Sequence, residues 1–476
     1  MDFTSNNGTA GWVSGPNIRG TMDIIWSSLL TVFLCTWTAV CLNLPNPKDS
    51  QFQILSRRAK WMFWAIVSPE LVLSVAIGQY ASARRSVKRF RKLGMKEDRW
   101  TLRHGFYADM GGMLLQPKNS TPFLVNSRQL AYLVEKQYLE CPQITQNEIW
   151  DKSKTDTLAR LLSLGQATWL MIQLFGRFIL KLPTTTLELS AGAIVICTFG
   201  TFICWMHKPS DVHTGIVLNM EASTAEILLE AGEIAATPYR HTPLDFVAKQ
   251  SFTCGYDVMG FFGLRFDDRE RPLRRFPDDR FPDIGTFEKF SLFCLTSAFA
   301  SFHLIGWYFV FPSRVEQILW RIASSIVTGA TVLYWIFETI AARQRFGRWD
   351  KYLVWLRMKT PPSQRQIDAD AALARQDTIG RLDAFEKEQR EAKPILRWEI
   401  MIILPIIFLY VSARIYMFVE VFVSLRQLPI GAFKTFEVAD MLPHWHFPFM
   451  PFIRARKSDE YPDNGDKTAT NFENIK

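Results

Sequence analysis

The sequence predicts an all-α fold, a polytopic transmembrane helix bundle of about seven spans with long helical cytosolic loops. Three observations carry this expectation. The 476 residues are 48% apolar and 21% charged, but the apolar residues gather in blocks instead of spreading over short amphipathic elements. The longest block, Ile24–Leu44, holds no charge at all. Trp61, Trp64, Trp205, Trp320 and Trp398 stand near block ends, where an indole ring is expected to anchor at the headgroup level. Such patterning excludes a purely soluble enzyme, a secreted disulfide scaffold and a disordered chain.

The spans follow in order. The first is Met22–Leu44, stopped by Pro45 and Pro47. The second is Trp61–Tyr80, with Pro69 and Glu70 in its middle, a composition that also fits a re-entrant segment. Leu161–Leu180 is the third, and a turn around Pro183 leads to the fourth, Thr186–Met206. Phe290–Phe311 and Leu319–Ile340 are the fifth and sixth, and Leu396–Phe422, containing Pro405 and Arg414, is the last. Each is expected to be helical, because lipid leaves no partner for unpaired backbone groups. The first 21 residues are polar and the first block is long, so no cleavable signal peptide is expected.

The chain thus divides into an N-terminal tail (1–21), spans one and two (22–80), a basic loop (81–160) and spans three and four (161–206). There follow a connection with an amphipathic helix and an Arg- and Pro-rich linker (207–289), spans five and six (290–340), a charged helical loop (341–395), span seven (396–422) and a C-terminal tail (423–476). Helical propensity is read from VLNMEASTAEILLEAGE in the second connection and from IDADAALARQDTIGRLDAFEKEQREAK in the third.

The net charge is +9. No nucleic-acid-binding motif accompanies it, so the partner it implies is the lipid bilayer, with anionic lipids at the basic loops and no nucleic acid. Arg84, Arg85, Lys88, Arg89, Arg91 and Lys92 directly after the second span read as a cytosolic, lipid-facing segment. With seven alternating spans, all three long connections share the cytosolic face with the N-terminus, and the C-terminal tail lies opposite. Two N-glycosylation sequons, at Asn7 and Asn119, then fall on the cytosolic side, which leaves them unused or the topology in need of revision. The expected location is integral to the plasma membrane or an endomembrane.

Ionisable residues inside spans are functional candidates by default. Glu70, His303 and Arg414 are read as an intramembrane polar site for a proton, an ion or an anionic substrate. The plainer alternative, favoured because intramembrane charges also pair simply to be tolerated, is an interhelical Glu70–Arg414 pair with His303 hydrogen-bonded to a neighbour. Arg177, near the end of its span, is expected to snorkel. His104 and Asp109 in HGFYADMGG suggest an acid–base pair on a glycine-flexed loop, or simply a tight turn. In HKPSDVH, metal binding by His207, Asp211 and His213 is conceivable, but Pro209 breaks the helical spacing and no further strong ligand is nearby; the preferred reading has Trp205 and Lys208 meeting headgroups and lipid phosphate while Pro209 stops the helix. Asp278, Asp279 and Asp283 faintly suggest a magnesium–diphosphate cluster, against the plainer reading of a solvated, self-neutralising loop. The seven cysteines show no CxxC and read as small buried thiols. No cofactor and no resident metal are expected, since no P-loop, GxGxxG, HExxH or GxSxG occurs.

Several strings carry a resemblance. They are RGTMDIIWSSLLTVFLCTWTAVCLNLP (Arg19–Pro45), HGFYADMGG (His104–Gly112), DKSKTD (Asp151–Asp156), QATW (Gln166–Trp169) and CWMHKPSDV (Cys204–Val212). FPSRVEQILWRIASS (Phe311–Ser325) and ARIYMFVEVFVSLRQLP (Ala413–Pro429) complete the set. In order and spacing the chain resembles uncharacterised multi-pass integral membrane proteins of filamentous fungi, departing at Ser210, where that family usually has Leu. The resemblance implies a fungal source and a membrane location, and no activity. Three functions therefore compete: a channel-, transporter- or sensor-like protein built on Glu70, His303 and Arg414; a membrane-embedded enzyme or accessory protein of fungal specialised metabolism using His104, Asp109 and the aspartates; and a membrane scaffold.

Overall fold

The computed structural model describes residues 8–15, 19–96, 99–118, 120–153, 157–236, 238–239, 241–247, 271–278, 284–345 and 397–435, all within one compact unit that ends at Thr435. The charged helix expected within 341–395 and the tail beyond 435 lie outside the described residues, as do Asn7, Asn119, Asp279 and Asp283.

Helix dominates. Strand β1 (Thr9–Ala10) precedes helices α1 (Thr21–Ala39), α2 (Gln51–Val67), α3 (Pro69–Lys92) and α4 (Leu102–Asp109). Strands β2 (Met113–Gln116) and β3 (Phe123–Leu124) lead to α5 (Ser127–Glu135), α6 (Gln146–Asp151), α7 (Thr157–Ile179) and α8 (Thr186–Trp205). After β4 (Ile216–Asn219) come α9 (Thr224–Ala231), α10 (Thr286–Phe302), α11 (Arg314–Arg345) and α12 (Arg397–Val423), and β5 (Leu428–Pro429) closes the described chain. Five of these helices, α1, α8, α10, α11 and α12, are long and apolar enough to cross a membrane, α10 being counted with its short 3₁₀ extension, and the α2–α3 pair is a sixth such element if taken together.

Helix α8 is the centre of the bundle. Thr185 caps it, accepting from the Glu188 N–H at 3.2 Å while Glu188 Oε2 accepts from the Thr185 N–H at 3.0 Å. Its small residues bring neighbours close: a side chain at Gly192 would strike Leu174 of α7, and one at Gly200 would meet Leu73 of α3 at 2.8 Å. Around this core the outer faces stay apolar. Phe178 (72% exposed), Met401 (76%) and Phe408 (68%) point away from the bundle. The polar groups Ser28, Thr31, Glu188, His303 and Ser324 are buried within it.

The two ends of the bundle differ. At one end the start of α1, the α7–α8 turn and the end of α12 meet. β1 pairs antiparallel with β5, Thr9 opposite Pro429, and Thr186 bonds Ser424 at 2.6 Å. At the other end α3 runs on into a small α/β layer whose sheet order is β3-β2-β4, with β2 and β4 parallel, Met113 opposite Ile216. Its core holds Phe90, Trp100, Tyr107, Met113, Leu130 and Ile149, with Trp100 stacked on Phe90 at a ring separation of 3.7 Å.

Several expectations are corrected here. The second block is not one straight helix: the chain breaks at Ser68 and turns through 113° between α2 and α3. Pro69 is the cause, because its ring fits the first turn of a helix but cannot continue one. The fold is not purely helical, since the first three residues of VLNMEASTAEILLEAGE end strand β4 and Thr224–Ala231 is the α-helix within it. HGFYADMGG is helix α4 as far as Asp109, with only Gly111 at positive φ in the turn that follows. Trp61, Trp205 and Trp320 are buried among helices instead of standing outward as anchors. Finally, the N-terminal strand sits at the end of the bundle opposite the sheet-bearing connections and beside the C-terminal side of α12.

Candidate functional site

The break between α2 and α3 exposes backbone groups that a continuous helix would pair among themselves. The end of α2 offers carbonyls, and the start of α3 offers N–H groups and the positive end of a helix dipole. Each receives a matching side chain. The Arg414 guanidinium, from the middle of α12, donates to the Val67 carbonyl at 3.2 Å. Glu70, in the first turn of α3, places its carboxylate at the dipole's positive end. Its Oε1 accepts from Ser68 Oγ at 2.6 Å and from Tyr410 Oη at 2.8 Å. Its Oε2 is buried and has no hydrogen-bond partner.

His303 completes the cluster from the end of α10. Its Nδ1 lies 3.1 Å from the Phe299 carbonyl, so Nδ1 carries the hydrogen, and Nε2 accepts from Arg414 Nη1 at 3.2 Å. Arg414 also stacks over the Phe299 ring at 4.9 Å. Thus the structure brings Glu70, His303 and Arg414 together at the helix break. The direct Glu70–Arg414 pair is replaced by a relay through the helix break. Tyr410 is the member that sequence reasoning missed; it lies one helical turn before Arg414, so the i, i+4 spacing on α12 was the available signal.

Two further buried cations organise the ends of the bundle. Lys208 (3% exposed) does not reach for lipid phosphate. Its ammonium donates to the Cys41 carbonyl at 2.6 Å, Gln79 Oε1 at 2.8 Å and Asn43 Oδ1 at 3.1 Å, and burial lowers its pKa to about 8. Arg177 (1% exposed) does not snorkel either. It donates to the carbonyls of Pro183 at 2.7 Å, Ala432 at 3.0 Å, Lys434 at 3.0 Å and Gly431 at 3.1 Å, tying the chain after α12 to the α7–α8 turn. Glu188, beside it, pairs with Arg19.

The other sequence candidates are used separately. His104 Nδ1 accepts from the Thr101 N–H at 3.2 Å, and its Nε2–H donates to the Ile144 carbonyl at 3.0 Å. Burial lowers its pKa, so the ring is neutral. Asp109 accepts from Ser82 Oγ at 2.6 Å and from the Ser127 N–H at 3.0 Å, where it serves the start of α5. The two thus bond to different elements, His104 to the start of α4 and the chain before α6, Asp109 to α3 and the start of α5. Asp278 accepts from the Asn43 N–H at 2.7 Å and pairs with Arg57 at 3.3 Å. Asp279 and Asp283 lie outside the described residues. Among the described residues no three His, Cys, Asp or Glu side chains gather as a metal site. Cys35, Cys41 and Cys197 are buried free thiols, while Cys294 is exposed.

Neither a curated protein nor a solved structure matches this chain. A family model does, over residues 2–231 and 289–445. Those stretches take in Glu70, His303, Tyr410 and Arg414, and Asp278 falls in the gap between them. With most of its length matched, the chain belongs to a family of unknown function, DUF8562.

Proposed function

We propose that this chain is a multi-pass integral membrane protein of the plasma membrane or an endomembrane, transporter-, channel- or sensor-like, and that its working site is the Glu70–Tyr410–Arg414–His303 cluster. The membrane reading is supported by the five long apolar helices and by an outer surface that exposes large apolar side chains while polar groups are buried. The observation that carries the function is the unpartnered Glu70 Oε2 at an interrupted helix. A buried carboxylate oxygen without a donor is costly and is relieved by a proton or a cation. Interrupted helices are how membrane proteins present backbone charge to ions and substrates at depth. Arg414 holds the opposite charge on the other arm of the break, so a change in the protonation or occupancy of Glu70 bears directly on how α12 is held against α2.

The test is reconstitution of the purified chain into phosphatidylcholine–phosphatidylserine vesicles loaded with a pH-sensitive dye and challenged in turn with proton, sodium and potassium gradients. The expected result is gradient-driven flux, or a cation- or pH-dependent change in intrinsic tryptophan fluorescence, that Glu70→Gln abolishes. Flux and fluorescence indistinguishable between the wild type and Glu70→Gln would sink the reading.

A further inference from the structure

The arrangement of helix ends assigns a topology that differs from seven alternating spans. We infer that α2 and α3 form a re-entrant pair, entering and leaving on one face, so that the six crossing helices are α7 and the five long apolar helices α1, α8, α10, α11 and α12. Both ends of the described chain then lie on the exoplasmic face and the long connections in the cytosol. The inference rests on the membrane reading above and goes beyond it by fixing sides.

The depth of the break comes from packing. Ile66, two residues before Ser68, packs against the cluster that holds Val32 and Cys35 of α1, Leu170 of α7 and Ala191, Ile194 and Val195 of α8, most of them near the middle of their helices. From that layer both arms run the same way. Backward along α2, Arg57 reaches the Asn43 carbonyl at 2.8 Å and Asp278, just beyond the end of α1. Forward along α3, Gln79 meets the Trp205 indole at 3.0 Å and the Lys208 ammonium, at the end of α8. Neither arm reaches the opposite end, where Arg177, Glu188 and the β1–β5 pair are found.

With α2–α3 returning to its own face, α1 is the only crossing between the N-terminal strand and the sheet-bearing connection. The remaining helices alternate. Arg160 at the start of α7 bonds Cys41 Sγ at 2.8 Å, at the end of α1, and Arg177 lies at the far end of α7. Helix α8 returns from Thr186, beside Ser424, to Lys208, beside Cys41. Leu292, in the first half of α10, shares a hydrophobic cluster with Leu73 and Ile77 of α3, and α10 ends at His303, whose carbonyl accepts from the Trp320 indole N–H, so α11 starts there, with Glu316 paired to Arg426. Helix α12 ends at Ser424, again at the end that holds β1.

Charge chooses which face is cytosolic. Among the described residues, the connections and helix ends at the β1–β5 end carry Arg19, Arg177, Lys181, Arg314, Arg426 and Lys434. The opposite end carries Arg84, Arg85, Lys88, Arg89, Arg91 and Lys92 from α3 alone. Cationic residues collect on the cytosolic side, so the sheet-bearing end faces the cytosol and Gly8, whose carbonyl accepts from the Ile430 N–H at 3.0 Å, faces away from it. The two sequons thereby part company. The sequon that ends at Thr9 of β1 then falls on the lumenal side of the secretory membrane, where glycosylation takes place, and the one between Lys118 and Ser120 on the cytosolic side.

The experiment expresses the full chain in sealed eukaryotic microsomes, with one protease-cleavable tag at the N-terminus or, in a second version, after the exposed Lys118. Expected is an N-terminal tag shielded until detergent is added, a Lys118 tag cut in intact vesicles, and any endoglycosidase-sensitive band shift removed by Asn7→Gln and not by Asn119→Gln. An N-terminal tag cut in intact vesicles, a shielded Lys118 tag, or a shift removed by Asn119→Gln would each overturn the assignment. Release of the untagged chain by alkaline carbonate would instead overturn the membrane reading itself, so the two failures are distinguishable.

Discussion

Replacing Lys208 by Met keeps most of the apolar stem and removes the ammonium. The Cys41 carbonyl and Asn43 Oδ1 then lose their Lys208 donor, while Gln79 Oε1 keeps the Trp205 N–H. Each buried acceptor left without its donor costs about 1–3 kcal/mol. With two such acceptors, Lys208→Met is expected to destabilise the folded chain by about 2–6 kcal/mol at neutral pH. The assay is thermal unfolding of detergent-solubilised protein, followed by loss of the monodisperse size-exclusion peak. The pH dependence supplies a second arm with a fixed sign. Between about pH 8 and 10.5 the unfolded chain holds the Lys208 proton more than the folded chain does, so the stability of the wild type relative to Lys208→Met rises across that window. A variant as stable as the wild type, or a gap that narrows as pH rises, would refute the reasoning.

Two further outcomes are expected. Gly105 of α4 packs so closely on α3 that a side chain would meet Ala83 Cα and the Ala83 carbonyl at 3.0 Å, so Gly105→Ala should cost about 1–3 kcal/mol of stability despite alanine's better helix propensity, read in the same thermal assay. His104 is held neutral by burial, its folded pKa lying below the ordinary 6.5; its contribution to stability is therefore complete above pH 6.5 and is lost as pH falls below it, and the difference between wild type and His104→Gln should shrink on acidification from pH 7 to 5.

How far the sequence speaks differs from element to element. The block at Met22–Leu44 becomes α1 and the block at Thr186–Met206 becomes α8 within a few residues, because an uninterrupted apolar run has few alternatives to helix. Pro69 marked the break after α2, but the size of the turn depends on what packs against both arms, and Arg414 lies more than three hundred residues away. The cluster of Glu70, His303 and Arg414 was visible as three ionisable residues in apolar runs, while its wiring through Val67, Ser68 and Tyr410 was not. Lys208 and Arg177 were misread for one reason. A long cation near a helix end reaches for water or lipid by default, and only the fold reveals that backbone carbonyls have been gathered around it. Strands β2 and β4 went unseen because each is four residues long and the pairing between them joins segments remote in sequence.

The parallel pairing of β2 with β4 has a consequence for how the molecule is made. Residues 113–116 find their neighbours at 216–219 only after α7 and α8 have both been laid down between them. While the chain emerges from the ribosome, β2 therefore waits with an open edge until two long apolar helices have been threaded and turned back. The sheet works as a clasp that shuts once that helical hairpin is seated. Any later sliding of the hairpin past α3 would have to prise the clasp open, one backbone pair at a time.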